Sequence, residues 1–240
     1  MTRLTSCLDA DAVAARAAAH VRRTLQRARS QRGVAHVALS GGTTPGHTYR
    51  LLAAEPQDFL DVHVWFADER CVAPDDEDSN YLLAARTLLD PAAIPAARVH
   101  RMQGELGPHD GALAYSHELD RHAPADEHGV PVLDLAILGI GPDGHVASLF
   151  PGAWTLRADE GAVCLGVEDS PKPPPERITL SLAALCAARG CLLLATGHGK
   201  ADAVSAMLGE PSRHVPASLL RRERLTVVVD DAAAPGGPRP

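Results

Sequence analysis

Residues 133–152 read LDLAILGIGPDGHVASLFPG, and their reading decides the fold class. The apolar run 133–138 has the length of a buried strand and stops at a glycine-rich turn. That turn delivers Asp143, Gly144 and His145 together. In an open α/β sheet, ligands sit outside the carboxyl ends of the strands, so a histidine there is a candidate reactive group. Its imidazole changes charge near neutral pH.

The same pattern recurs on either side. Strand-like residues 34–39 end at Ser40-Gly41-Gly42-Thr43, 62–66 at Asp68-Glu69-Arg70, and 191–196 at Gly197-His198-Gly199-Lys200. Further strands are expected at 163–167, 177–180 and 225–229. Helices are expected over 9–29, where Val13, Ala17, Val21 and Leu25 recur every four residues, and over 48–54, 80–89, 110–122 and 201–208. Alternating strands and helices imply a three-layer α/β fold, a mostly parallel sheet flanked by helices. No repeat or linker divides the chain, so a single domain is expected over 1–230, with 231–240 (DAAAPGGPRP) as a disordered tail.

Bulk properties narrow the function. The chain has 240 residues, 45% hydrophobic but only 3% aromatic, so its core must be aliphatic and alanine-rich. A net charge of −7 argues against a nucleic-acid partner, so any anionic ligand must be met by local cations and helix N-termini. No apolar run reaches membrane-spanning length, and no signal-peptide apolar region opens the chain. Cys7, Cys71, Cys164, Cys186 and Cys191 form no CxxC pair, which suits reduced thiols and a cytoplasmic location.

The chemistry-bearing residues follow from the strand-end loops. SGGTTPG opens a helix, so its backbone N–H groups and the Ser40, Thr43 and Thr44 hydroxyls make a candidate anion seat. Lys200 stands at a helix start, unfavourable for the dipole, so it is either a solvent-facing lysine or the partner of an anionic ligand that bridges both. Arg177, after three prolines, is a surface cation or a second clamp on an anion. Arg70 serves a phosphate or an oxyanion, and sequence leaves both open. Asp68 or Asp143 orients His145 or binds sugar hydroxyls; Glu69 ranks lower. Gly139, Gly141 and Gly144 match GxGxxG, but Pro151-Gly152 cuts short the helix that a dinucleotide fold requires. There is no GxSxG elbow, and His109, His117, His122 and His128 fit no zinc spacing. Arg221, Arg222 and Arg224 read as an exposed helix end.

Together these segments resemble the 6-phosphogluconolactonases. The matching stretches are LSGGTTPG, WFADERCVAPDDEDSNY, LDLAILGIGPDGHVASLFPG, KPPPERITLSLAAL and TGHGKADAV, in order from Leu39 onward. The resemblance implies a sugar-phosphate-isomerase-like fold that needs no metal or organic cofactor. It also implies hydrolysis of 6-phospho-D-glucono-1,5-lactone to 6-phospho-D-gluconate in the pentose phosphate pathway, by a monomer or small homo-oligomer. His145 would be the general base, with Arg70, Asp143 and Asp68 as its catalytic neighbours. Ser40, Gly41, Gly42, Thr43, Asn80, Arg177 and Lys200 would hold the substrate. Glucosamine-6-phosphate deaminases are similar at SGG and DGH, but carry an FNEP-type segment where this chain has Ser148-Leu149-Phe150-Pro151-Gly152. A deaminase, or a non-catalytic sugar-phosphate binder on the same fold, is therefore the alternative. The chain departs from the lactonase pattern at SRHVPASLL, whose lead-in is unusually charged.

Overall fold

The computed structural model describes residues 2–158 and 161–236. The first half of the chain forms β1 (Arg3–Cys7), α1 (Ala10–Arg32), β2 (Ala35–Leu39), α2 (Thr43–Ala53), β3 (Val62–Phe66), β4 (Asp68–Arg70), α3 (Asn80–Ala84) and α4 (Pro108–His122). The second half forms β5 (Leu135–Gly139), β6 (Cys164–Val167), β7 (Arg177–Leu180), α5 (Leu182–Ala187), β8 (Cys191–Ala195), α6 (Ala201–Leu208) and β9 (Leu225–Asp230).

Six strands make one parallel sheet in the order β1-β9-β8-β5-β2-β3. Its central strands AHVAL, LAILG and CLLLA are almost wholly buried. Such continuous apolar strands need both faces of the sheet covered, which flanking helices provide. The expected α/β class is therefore the observed one. Asp9 starts α1 by accepting from the Ala12 N–H, and Gly33 ends it in a left-handed conformation at φ 79°. The buried stripe of α1 (Val13, Ala17, Ala18, Val21, Leu25, Ala28) is mostly small, so it packs closely on α2 and the sheet. Among the described residues, no helix is long and apolar enough to cross a membrane.

Several local expectations need correction. β1 was not expected: RLTSC is a polar edge strand with a largely exposed pattern, so periodicity does not announce it. Asp68-Glu69-Arg70 is not a plain strand-end turn. It is β4, an edge strand of a separate antiparallel sheet, β4-β7-β6. Asp68 and Glu69 are buried there, not solvated. Residues 182–187, given no helix from sequence, form α5, capped by the Ser181 hydroxyl. Within the expected tail, Ala233 is fully buried and its N–H donates to Asp230; residues 237–240 lie outside the described residues.

Sheet topology sets where a ligand can sit. From β2 the chain moves outward to β3, then returns to place β5 on the other side of β2. The order therefore reverses between β2 and β5, and the loops at their carboxyl ends diverge to leave a crevice.

Candidate active site

A cavity of about 520 Å³ occupies that crevice. From the loop after β2 it takes Ser40, Gly41, Gly42 and Thr43; from β4 and α3 it takes Asp68, Arg70 and Asn80. His145, Arg177 and Lys200 complete the wall. Asp143, the remaining residue expected from sequence, lies directly behind His145. Four loops far apart in the chain thus meet on one rim.

The loop after β5 carries the acid–base candidate. His145 Nδ1 lies 2.6 Å from Asp143 Oδ1. A neutral imidazole that donates from Nδ1 keeps Nε2 as a proton acceptor. Lys172 Nζ sits 3.4 Å from the same carboxylate oxygen and 3.4 Å from His145 Nδ1. Burial lowers the His145 pKa below its usual 6.5; the Lys172 ammonium pushes the same way, and the Asp143 hydrogen bond and charge oppose them. Burial alone would raise the Asp143 carboxyl, but the hydrogen bond from His145, its charge and that of Lys172 hold it below the usual range. The Phe150 ring tilts against the imidazole, with centroids 4.6 Å apart.

This arrangement requires glycine at position 141. A Cβ there would lie 2.0 Å from His145 Nδ1 and 2.4 Å from Asp143 Oδ1. Gly141→Ala is therefore expected to push the imidazole off Asp143 and lower kcat by about 10²-fold, the usual cost of a displacement of about 1 Å. Steady-state kinetics beside a thermal melt separate that loss from unfolding.

The same cavity also offers an anion seat. Thr43 starts α2, with Gly42 at φ 106° as its cap, so the first-turn N–H groups lie at the cavity rim. The Tyr49 hydroxyl donates to the Ser40 carbonyl at 2.8 Å and accepts from the Ser40 N–H at 3.0 Å, which locks the loop. The Ser40 side-chain hydroxyl is buried with no partner among the described residues. Thr44 and Thr196 join their hydroxyls at 2.8 Å, tying the β2 loop to the β8 loop. Lys200 Nζ donates to the Ile140 carbonyl at 2.7 Å. Burial lowers the Lys200 pKa, and the neighbouring Lys172 charge adds to that.

Four of the expected residues turn out to be held by the protein itself. Arg177 is buried and donates to the carbonyls of Lys172, Pro173 and Pro174. It is therefore not a free surface cation: it anchors the proline strap that carries Lys172. Asn80 donates its side-chain amide to the Asp68 carbonyl at 2.9 Å and to Asp68 Oδ1 at 3.3 Å. Asp68 Oδ2 in turn accepts from the Ser148 hydroxyl at 2.8 Å, so Ser148 contacts Asp68 through its hydroxyl. Arg70 donates from Nη1 to the Asp78 carbonyl, while its buried Nε has no partner.

Glu69 does not face the cavity but supports it. Its carboxylate accepts from the N–H groups of Arg70, Asn80 and Tyr81, each at 2.7 Å, and from the Ser79 hydroxyl at 3.1 Å. Two of those N–H groups open α3, so Glu69 caps that helix from a neighbouring strand.

Lys172 is the functional candidate that sequence reading missed. The signal was present: a cation leading three prolines, in a stretch too stiff to be an ordinary loop. Nothing in the local pattern says that the strap folds back over residues 143–145.

Residues 8–229 match the family of glucosamine-6-phosphate isomerases and 6-phosphogluconolactonases. A relative from Streptomyces coelicolor named 6-phosphogluconolactonase is 39% identical, over 96% of this chain and 93% of its own. One of the same name from Rattus norvegicus is 39% identical, over 85% of this chain and 80% of its own. The solved 6-phosphogluconolactonase of Leishmania guyanensis superposes with a TM-score of 0.86 at 29% identity, covering 97% of each chain.

Proposed function

Because the chain belongs to the glucosamine-6-phosphate isomerase and 6-phosphogluconolactonase family, we propose that it hydrolyses 6-phospho-D-glucono-1,5-lactone to 6-phospho-D-gluconate, in the oxidative branch of the pentose phosphate pathway. One observation carries the reading. A single cavity holds His145, backed by Asp143, together with an anion seat at the α2 N-terminus and Lys200.

A lactone is an activated ester, so water can attack it without a covalent enzyme intermediate. His145 Nε2 takes the proton from the attacking water while Asp143 holds Nδ1. Charge builds on the carbonyl oxygen, and the Arg70 guanidinium, which lines the cavity, offsets it. The protonated imidazole then returns its proton to the ring oxygen as the C–O bond opens. The phosphate sits on the α2 N-terminus with Lys200 and the Ser40 and Thr43 hydroxyls, and the Asp68–Asn80 pair faces the sugar hydroxyls. The deaminase alternative is disfavoured here, because Ser148, Leu149 and Phe150 follow the histidine and bring no carboxylate.

Two substrates tested side by side check this. The purified chain should accelerate opening of the phosphorylated lactone and release no ammonia from glucosamine 6-phosphate; the reverse result refutes the proposal.

Two further outcomes follow from the assigned roles. Lys200→Ala should raise KM about 10- to 100-fold with kcat little changed, because losing a charge-assisted hydrogen bond costs about 1.5–3 kcal/mol. The general base must be neutral to act. Because its pKa is lowered, the acid limb of kcat/KM should fall below pH 6.5. Removing the Lys172 charge as Lys172→Met takes away one lowering influence, so the acid limb should move to higher pH. A limb that stays put, or moves down, removes Lys172 from the account.

A further inference from the structure

A second cavity, of about 850 Å³, opens beside α5 and shares no residue with the catalytic one. Five arginines line it: Arg157, Arg189, Arg213, Arg221 and Arg224. The chain as a whole carries −7, so this concentration of cations runs against the molecule's overall sign. Two of the five are held by the scaffold. Arg189 Nε lies 3.4 Å from the buried Asp134, and Arg224 Nη1 donates to the carbonyls of Ala187 and Ala188. Arg157, Arg213 and Arg221 form no ion pair with any described carboxylate. The acidic residue on the described wall, Asp126, already accepts from the N–H groups of His128 and Val130.

An independent feature marks the same place. Thr155 lines this cavity, is 2% exposed, and its hydroxyl has no hydrogen-bond partner among the described residues. Buried hydroxyls rarely go unpaired, so Thr155 marks a polar spot in the wall. Val130, Leu156 and Leu182 give the cavity an apolar wall as well. Guanidinium forks match the oxygens of a phosphoryl group two at a time, and an apolar wall suits an uncharged body. The volume falls within the range of small-molecule sites. The site also gives a purpose to two features left over from the sequence: the charged lead-in at Arg213 and the arginines at 221 and 224.

We propose that this cavity is a second ligand site, which binds an organic phosphate of nucleotide size. Arg157, Arg213 and Arg221 grip the phosphoryl group, and the apolar wall covers the body.

Calorimetry on the full chain tests this, with adenosine monophosphate and inorganic pyrophosphate as separate probes. Adenosine monophosphate should bind at one site, more tightly than pyrophosphate. The Arg157→Gln/Arg221→Gln double variant should weaken it at least about tenfold, the cost of losing charge-assisted contacts. Lactone hydrolysis by that variant should stay within about twofold of wild type, because neither side chain reaches the catalytic cavity. Arg213→Gln provides the same test should the double variant fail to fold. Lys200→Ala should leave the binding intact, which separates this site from the catalytic one. No heat from either probe at millimolar concentration overturns the proposal. So does binding that is lost in Lys200→Ala and kept in the arginine variants. Binding of pyrophosphate alone overturns the assignment to an organic phosphate.

Discussion

Replacing His145 with alanine lowers kcat by about 10²- to 10⁴-fold and leaves KM within a few-fold of wild type. That range is what a positioned proton acceptor contributes to a hydrolytic step. KM is spared because the phosphate contacts are made by other groups: the β2 loop, the α2 N-terminus and Lys200. Asp143→Asn should give a smaller loss, since the amide can still hold Nδ1 but no longer stabilises an imidazolium. Stopped assays on both variants, corrected for spontaneous lactone opening, check this. If His145→Ala turns over at the wild-type rate, the base is some other group.

Glu69→Ala acts through stability. The substitution strands the N–H groups of Arg70, Asn80 and Tyr81 and the Ser79 hydroxyl in a buried setting. A stranded buried donor costs about 1–3 kcal/mol, and water entering the vacated space recovers part of it. A net loss of about 3 kcal/mol is expected, which lowers Tm by roughly 6–12 °C for a chain of this size. Glu69→Gln keeps the shape and one acceptor oxygen, so it should lose less. The ordering of the two variants in a thermal melt is the check, and equal melting temperatures would show that the carboxylate caps nothing. Activity should fall with stability here, because α3 carries Asn80, and Asn80 holds Asp68.

The two residues show what a sequence can and cannot disclose. His145 was legible because a buried apolar run, a glycine turn and a titratable side chain follow one another, and parallel sheets put such turns on a common rim. The same logic found the β2 and β8 loops, with Ser40, Thr43 and Lys200. Glu69 ranks low as a catalytic candidate and lies outside the cavity lining, but its capping role is not legible, because three consecutive charges give no sign of burial. Its burial depends on a partner strand, β7, more than a hundred residues away. Lys172 was passed over for a related reason: its position is set by Arg177 gripping three strap carbonyls, a contact made by folding. β1 escaped notice because an exposed edge strand carries little hydrophobic pattern. What periodicity and turn chemistry encode was readable, and what long-range pairing encodes was not.

The central claim is that one cavity grips a phosphate at one end and presents an imidazole to a lactone carbon at the other. Comparing the purified chain's rate on freshly generated 6-phosphoglucono-δ-lactone with its rate on the unphosphorylated lactone tests it most directly. Saturable acceleration above the spontaneous rate is predicted, with kcat/KM at least about tenfold higher for the phosphorylated substrate. Equal rates on the two lactones, or no acceleration of either, would contradict it.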